Sequence, residues 1–432
     1  MRVEKTEPAK DRLGLPVRSL HVDVIEGPDR GAHVEAGSET LTVGTAEGND
    51  LVLGDATVSR YHLELVRAGE GVHVRDHAST NGTLYEGARL SDATVPPGSV
   101  LQLGNTKLKV IDGDRVTIEL HDDDELGDIV GRTPLMRRLM ARILRASRSD
   151  TPALLIGESG TGKELIARAL HDSGPRERKP FVTVDCAALA PSLVASELFG
   201  HEKGAFTGAD RQHVGAFERA HGGTLFLDEI GELPSTLQAT LLGALERRSF
   251  RRVGGRREVE VDVRVVCATH RDLRREVNAG RFRLDLYYRI AVVVLQVPPL
   301  RDRMEDLPVL VERFLREAGH DGSVEEVIPP DVMAAFAAHR WPGNVRELRN
   351  VVEATLAMGE TPELDPDLAT EDAGWMEQGY KEARAAVLHD FEARYLRKLV
   401  ERSEGNVSRA ARDARMDRTY LIKLLQKHGL KS

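Results

Sequence analysis

The sequence predicts a multidomain protein: an all-β sandwich, then an α/β unit with a helical lid, then an all-α helical tail. Three observations carry this. Short alternating strands with close-set turns fill 18–112, apolar strands alternate with amphipathic helical patterns over 128–359, and a basic helical segment closes the chain over 376–432. At 432 residues the length allows roughly three domains.

In the first unit, Leu20-His21-Val22-Asp23-Val24, Thr40-Leu41-Thr42-Val43, His62-Leu63-Glu64-Leu65-Val66 and Gly71-Val72-His73-Val74 alternate as half-buried strands do. The acidic run Asp122-Asp123-Asp124-Glu125 reads as a solvated linker within 113–127. Beyond it, Ala153–Ile156, Phe181–Val184, Thr224–Leu227 and Val263–Ala268 are apolar strands separated by helical patterns, the arrangement of a parallel sheet covered on both faces. A helical lid is expected from Asp306 to about Met358, then a Pro- and acid-rich linker over 360–375 and a long helical pattern from Met376 to Glu401.

Composition excludes several classes. Two cysteines, Cys186 and Cys267, make neither a disulfide framework nor a metal cluster, which suits a reducing cytoplasm. No run approaches the ~20 apolar residues that span a bilayer, so no membrane partner is expected. Net charge is −9, yet from Gly405 onward Arg409, Arg412, Arg415, Arg418, Lys423, Lys427 and Lys431 face only Asp413 and Asp417. A basic tail on an acidic chain points to nucleic acid.

The densest chemistry lies in the α/β unit. Gly157-Glu158-Ser159-Gly160-Thr161-Gly162-Lys163 follows a strand and precedes a helix, the context in which backbone amides and a lysine cradle phosphate. Glu164 stands where the generic motif has a hydroxyl. Thr224 to Glu229 is an apolar strand ending in two acids, Asp228 and Glu229. On their own these would be surface acids; beside a phosphate loop they read as nucleotide-site carboxylates. Between the two elements lies Gly204-Ala205-Phe206-Thr207-Gly208-Ala209, small residues around one Phe and one Thr, suited to a mobile loop that offers an apolar and hydroxyl tip to a partner.

This GAFTGA hexapeptide, with Ser196–Glu202 before it and the GESGTGKE loop, resembles the sigma-54-dependent transcription activators, also called bacterial enhancer-binding proteins. The resemblance runs from about Ile129 to Met358 and resumes at the C-terminus. It implies an AAA+ ATPase using ATP and Mg²⁺, with Gly157 to Glu164 around the phosphates, Asp228 on the metal and Glu229 orienting water. Phe282-Arg283-Leu284-Asp285-Leu286-Tyr287-Tyr288-Arg289 resembles the segment that supplies arginine fingers to a neighbour's site, which implies a homo-oligomeric ring, typically a hexamer. Thr269-His270 falls at the sensor I position, and Trp341 to Leu348 matches the sensor II motif, placing Arg346 near the phosphates. Asp185 stands where the family has a switch asparagine that restrains the Walker B glutamate; beside Glu229 it would form a like-charge pair. The GAFTGA loop implies contact with sigma-54 RNA polymerase holoenzyme.

Gly405 to Leu425 resembles the Fis-type helix-turn-helix and implies enhancer DNA as partner. Val407, Ala410, Ala411 and Ala414 form one apolar stripe and Leu421, Leu424 and Leu425 another, with Asp417 as an N-cap. The outward face then carries Arg418, Thr419, Lys423 and Lys427 for groove and phosphate contacts. The N-terminal sandwich resembles a forkhead-associated (FHA) domain through Val58-Ser59-Arg60-Tyr61-His62 and Asp76 to Thr83. It implies a phosphothreonine protein or a Ser/Thr kinase as partner, read by Ser59, Arg60, Thr80 and Asn81, although Thr45 replaces a phosphate-binding arginine. Two rivals share parts of this pattern. A protein-remodelling AAA+ chaperone would lack GAFTGA and the basic tail, and a repressor with a vestigial ATPase would not keep Lys163, Asp228, Glu229, Arg283 and Arg289.

Overall fold

A computed structural model describes residues 14–36, 40–69, 71–187, 191–362 and 364, and beyond them Leu396, Leu399, Val407, Arg409, Ala411, Met416, Leu421, Ile422 and Leu425. The chain divides into two compact units, Met1–Pro362 and Glu363–Ser432.

The N-terminal part of the first unit is a sandwich. One antiparallel sheet runs in the order His33–Ala36, Gly14–Glu26, Thr106–Glu119, Val100–Leu103, Thr83–Tyr85, Ala88–Leu90. The other runs Leu51–Val52, Thr40–Gly44, Leu63–Ala68, Gly71–Asp76, Asp92–Val95. Alternate residues of both point inward, so Leu20, Val22, Leu41, Val43, Leu63, Leu65, Val72, Val74, Leu101 and Leu108 form one buried core. The outer boundaries differ from the expected 18–112. The strands Gly14–Glu26 and Thr106–Glu119 stay paired from Gly14 opposite Glu119 to Glu26 opposite Lys107, because a long antiparallel ladder satisfies backbone groups that a linker would leave to water. The expected linker is correspondingly short. The backbone N–H of His121 donates to the carbonyl of Arg137 at 3.0 Å, and the Arg137 guanidinium returns a bond to the Asp122 carbonyl at 2.9 Å.

The second part of this unit is a five-stranded parallel sheet in the order Phe181–Asp185, Thr224–Asp228, Arg264–Thr269, Ala153–Ile156, Val293–Gln296. Its inner strands are buried on both faces, as continuous apolar runs require. Helix Pro134–Ser147 starts from Thr133, whose hydroxyl accepts from the Met136 N–H, and has Pro at its first position. It buries Met136, Leu139, Met140 and Ile143 against Ile166, Leu170 and Phe226. Arg264, 2% exposed, donates from the start of the middle strand to the Ala146 carbonyl at 2.8 Å and the Leu170 carbonyl at 3.0 Å, joining two helix C-terminal turns where a cation is favoured.

The lid contains helices Leu307–Glu317, Pro330–Ala338 and Asn344–Met358, packed through Leu310, Phe314, Phe336, Trp341 and Leu348. Asp306 ties it to the entrance of the α/β part. Its carboxylate accepts from the N–H of Arg132 and of Thr133, both at 2.7 Å, and from the Thr133 hydroxyl at 2.8 Å.

In the second unit Leu396, Leu399, Ala411, Leu421 and Leu425 form a buried cluster, with Val407 and Met416 packed on it. Of these, Val407, Ala411, Leu421 and Leu425 belong to the two apolar stripes expected from the sequence. Ala410, Ala414, Arg415, Asp417, Arg418, Thr419, Lys423, Leu424 and Lys427, and most of the linker 360–375, lie outside the described residues.

Asp306 yields a stability prediction. It is fully buried, so Asp306→Ala strands three donors in the interior and should cost about 3 kcal/mol or more. For a unit of this size the expected fall in melting temperature is roughly 5–12 °C by calorimetry or circular dichroism.

Candidate functional site

The candidate site stands at the C-terminal ends of Ala153–Ile156, Thr224–Asp228 and Arg264–Thr269, where open α/β sheets bind ligands. The loop Gly157 to Gly162 leaves the first strand and enters helix Lys163–Asp172, whose first amides have no partners within the helix. Gly160 and Gly162 adopt φ of +75° and +98°, a region that costs a side chain ~1–2 kcal/mol. At Gly160 a Cβ would also lie 2.2 Å from the Gly343 carbonyl oxygen. The Lys163 ammonium folds over the loop, donating to the carbonyls of Gly157 at 2.8 Å and Glu158 at 3.1 Å, and lies 3.7 Å from Glu229 Oε1. Glu164 is exposed in the first helical turn and brings no hydroxyl to the site.

The lid clasps this loop through residues that sequence reasoning did not single out. Arg301 forms a two-pronged ion pair with Glu158 at 2.6 and 2.8 Å, which holds that carboxyl below its usual range. Asn344, fully buried with φ +53°, donates to Glu158 Oε2 at 3.1 Å and the Ser159 carbonyl at 3.0 Å, while its oxygen accepts from Leu300 N–H. Arg303 donates to the Thr161 carbonyl at 3.2 Å; burial pulls its guanidinium down to about 10, against the charge of Asp306. Arg346, which was expected here, donates to Ser159 Oγ at 3.1 Å. Asn344 lies within the Trp341–Leu348 motif, whereas nothing in the Leu300-Arg301-Asp302-Arg303 run marks either arginine.

Glu229 follows the strand Thr224–Asp228 in a left-handed conformation, φ 50° and ψ 47°, rare for a residue with a side chain. Its Oε2 accepts from the His270 backbone N–H at 3.2 Å and meets His270 Nδ1 at 2.7 Å. Asp228 accepts from the Glu229 N–H at 3.0 Å, and its carboxyl is raised, first by burial and then by the Glu229 charge. In parallel register Asp185 lies abreast of Asp228, one residue short of Glu229, and its Oδ1 accepts from Ala187 N–H at 2.8 Å. The side chain that meets Glu229 Oε2 is His270. Thr269, fully buried, carries the carbonyl that receives the Gly157 N–H at 3.2 Å.

Asp228 suits a divalent cation, since a carboxylate crowded by Glu229 and Asp185 gains most from a counter-charge. Among the described residues no group of three or more His, Cys, Asp or Glu is placed to hold a metal alone.

The segment Gly204 to Ala209 lies between helices Pro191–Phe199 and Ala216–Arg219. Its base is fixed: His201 and His213 exchange backbone bonds at 3.1 and 2.9 Å, and Arg252 pairs with Glu202 and Glu218 at 2.8 and 2.7 Å. Its tip is open, for a Cβ on Gly204 or Gly208 would meet nothing within 4 Å, Thr207 is exposed, and Phe206 is 36% exposed beside the His201 ring. Arg283 pairs with Asp285 at 2.7 Å and Arg289 donates to the Leu245 carbonyl at 3.0 Å, both exposed on the helix Leu284–Ile290 segment. In the sandwich, Ser59 Oγ accepts from Thr80 N–H at 3.0 Å and Asn81 donates to the Thr57 carbonyl at 2.7 Å, so Ser59, Arg60, Thr80 and Asn81 share one loop edge. Thr45 joins it through its N–H to the Ser59 carbonyl at 3.1 Å.

A phosphate loop closed by a lid, with two acids at the end of the strand Thr224–Asp228 of the same sheet, defines an AAA+ ATPase. Residues 129–296 match the sigma-54 interaction domain family, residues 301–383 the AAA+ ATPase lid domain, and residues 23–114 the cytoplasmic domain of an inner membrane component of type III secretion systems. The transcriptional regulatory protein GlrR of Escherichia coli K12 is 45% identical over 307 residues, 70% of this chain and 68% of that protein. The Nif-specific regulatory protein of Azotobacter vinelandii is 50% identical over 242 residues, covering 56% and 46%. NtrX from Brucella abortus, solved in complex with ATP, is 39% identical with a TM-score of 0.51 and coverage of 71% and 70%. The chain belongs to the family of sigma-54-interacting AAA+ transcription regulators.

The two thiols give a check on how closed this site is. Burial, then the charges of Asp185 and Asp228, push the Cys186 thiol up to about 12, and burial raises Cys267 as well. Thiolate is the reactive form, so both should resist a disulfide-exchange reagent at pH 8 in the native protein and react promptly in denaturant, where pKa returns to ~8.5. Rapid native labelling would contradict this packing.

Proposed function

We propose that this protein is an ATP-driven transcriptional activator that binds enhancer DNA and remodels sigma-54 RNA polymerase holoenzyme to open promoters, under control of its FHA-like sandwich. The observation that carries the reading is the open Gly204–Ala209 tip on a rigid base, inserted between the strand ending at Asp185 and the strand ending at Asp228. A change at the phosphate site can thereby reach the loop through its two flanking helices.

Each residue has a role in this reading. The loop amides and Lys163 bind the ATP phosphates, Arg346 contacts them from the lid, and Asp228 holds Mg²⁺. Bound there, Mg²⁺ neutralises developing phosphate charge. Glu229 orients the attacking water, and His270 holds the carboxylate until it is needed. Arg283 and Arg289 serve a neighbouring subunit's site, so the working form is a homo-oligomeric ring, in this reading a hexamer. Arg418, Thr419, Lys423 and Lys427 contact DNA, and Ser59, Arg60, Thr80 and Asn81 engage a phosphothreonine protein or kinase product. The protein would act in the cytoplasm.

If these roles hold, Lys163→Ala weakens ATP binding, while Glu229→Gln still binds ATP and loses about 10²–10⁴-fold in turnover. Equilibrium binding of a fluorescent nucleotide together with steady-state ATPase assays checks both; wild-type turnover in either variant would defeat the assignment.

Phe206→Ala and Thr207→Ala change only the tip. They should leave ATP hydrolysis largely intact and abolish open-complex formation at a sigma-54 promoter in a purified transcription assay. Normal promoter opening by both variants would remove the contact-loop role.

A further inference from the structure

The loop edge of the sandwich is engaged with the ATPase domain of its own chain. Asp272 caps helix Leu273–Asn278, and its carboxylate also meets His77 Nδ1 at 2.7 Å. Arg274 pairs with Glu64 at 2.8 Å, with both side chains largely buried, and donates to the Tyr287 hydroxyl at 3.1 Å. Arg275 donates to the Asp76 carbonyl at 3.0 Å. The Asn278 amide bridges two sandwich loops, donating to the carbonyls of Tyr61 at 2.7 Å and His77 at 3.0 Å. Tyr61 stands edge-on to Tyr287 at 5.2 Å and belongs to the ATPase core cluster, and Gly48 N–H donates to the Tyr288 hydroxyl at 3.2 Å.

The clamped stretch is not a neutral piece of surface. It begins at Asp272, two residues beyond the His270 that holds Glu229, and ends at Tyr288, the residue before Arg289. Both arginines at its far end are satisfied inside their own subunit, Arg283 by Asp285 and Arg289 by the Leu245 carbonyl. A finger that reaches a neighbour must leave such partners, and a segment held by a second domain at Asp272–Asn278 and again at Tyr287–Tyr288 resists that movement. The contact is made mainly of ion pairs and backbone carbonyl acceptors, the composition of interfaces that open and close rather than of permanent cores.

We propose that the sandwich is an autoinhibitory clamp in cis, its Glu64, Tyr61 and His77 edge gripping Asp272 to Tyr288 and holding Arg283 and Arg289 back from the neighbouring site. This rests on the reading of those arginines as fingers supplied in trans. Ser59, Arg60, Thr80 and Asn81 adjoin the gripped residues Tyr61 and His77 along the same two loops, so a ligand bound there shifts the clamp if it favours one of its two states. A tenfold activation on release requires the clamped form to be about 90% populated or more at rest.

The test uses the full-length protein. Glu64→Arg opposes Arg274 across the interface, Asn278→Ala removes the bridge between the loops, and the exchanged pair Glu64→Arg with Arg274→Glu restores the attraction. Steady-state turnover should rise several-fold in the first two, with KM for ATP little changed, and fall back in the exchanged pair. Hydrogen exchange over 273–290 should quicken and recover in parallel. Unchanged or lower turnover in folded Glu64→Arg and Asn278→Ala, whether or not exchange quickens, overturns the clamp, as does a rise that the exchanged pair fails to reverse. Arg289→Ala in both backgrounds separates this from the finger assignment. If that assignment fails, turnover survives Arg289→Ala with or without release; if only the clamp fails, Arg289→Ala abolishes turnover and Glu64→Arg leaves it unchanged.

Discussion

Glu229 sits in a left-handed backbone conformation at the end of a strand buried on both faces, and the ATPase domain is built around tolerating it. Such a conformation costs of order 1–3 kcal/mol and persists only where its surroundings over-determine it. Here the flanking strands fix Asp228, the His270 N–H and imidazole fix one carboxylate oxygen, and Lys163 lies near the other. The turn swings Glu229 out of the strand's line toward the phosphate loop, which a regular continuation of the ladder would not do. The strain therefore aims the carboxylate.

The same economy appears around the phosphate loop. Four cations surround it, and each is balanced differently: Lys163 by loop carbonyls, Arg301 by Glu158, Arg346 by Ser159, and Arg303 by a carbonyl and the charge of Asp306. Arg303 bears the largest desolvation and is drawn furthest from the usual guanidinium range. Arg301, Arg303, Asn344 and Arg346 all come from the lid side of the chain, so the loop is tied to the lid at four places.

The docked sandwich extends that linkage. Asp272 and Tyr288 bound a segment with Glu229's partner His270 on one side and Arg289 on the other, so a grip on it lies between the two. A buried ion pair such as Arg274–Glu64 contributes little net stability when made and costs about 3–5 kcal/mol when one partner is removed. That asymmetry suits a contact whose value lies in specifying one docked arrangement.

The sequence by itself determined what is local. The phosphate loop's glycines, the apolar strand ending in Asp228 and Glu229, and the Gly204–Ala209 tip depend on chain conformation within a few residues, and their spacing makes them legible. The parallel sheet and the sandwich were legible for the same reason, since alternation and apolar runs record burial strand by strand. The tertiary structure alone decided the rest. His270 meets Glu229 across 41 residues and Asn344 meets Glu158 across 186, while Asp185 is held abreast of Asp228 by strand register. Asn278 finds Tyr61 across 217 residues. No periodicity encodes such pairs: each partner is an ordinary polar residue whose role exists only once two distant elements have packed and excluded water between them.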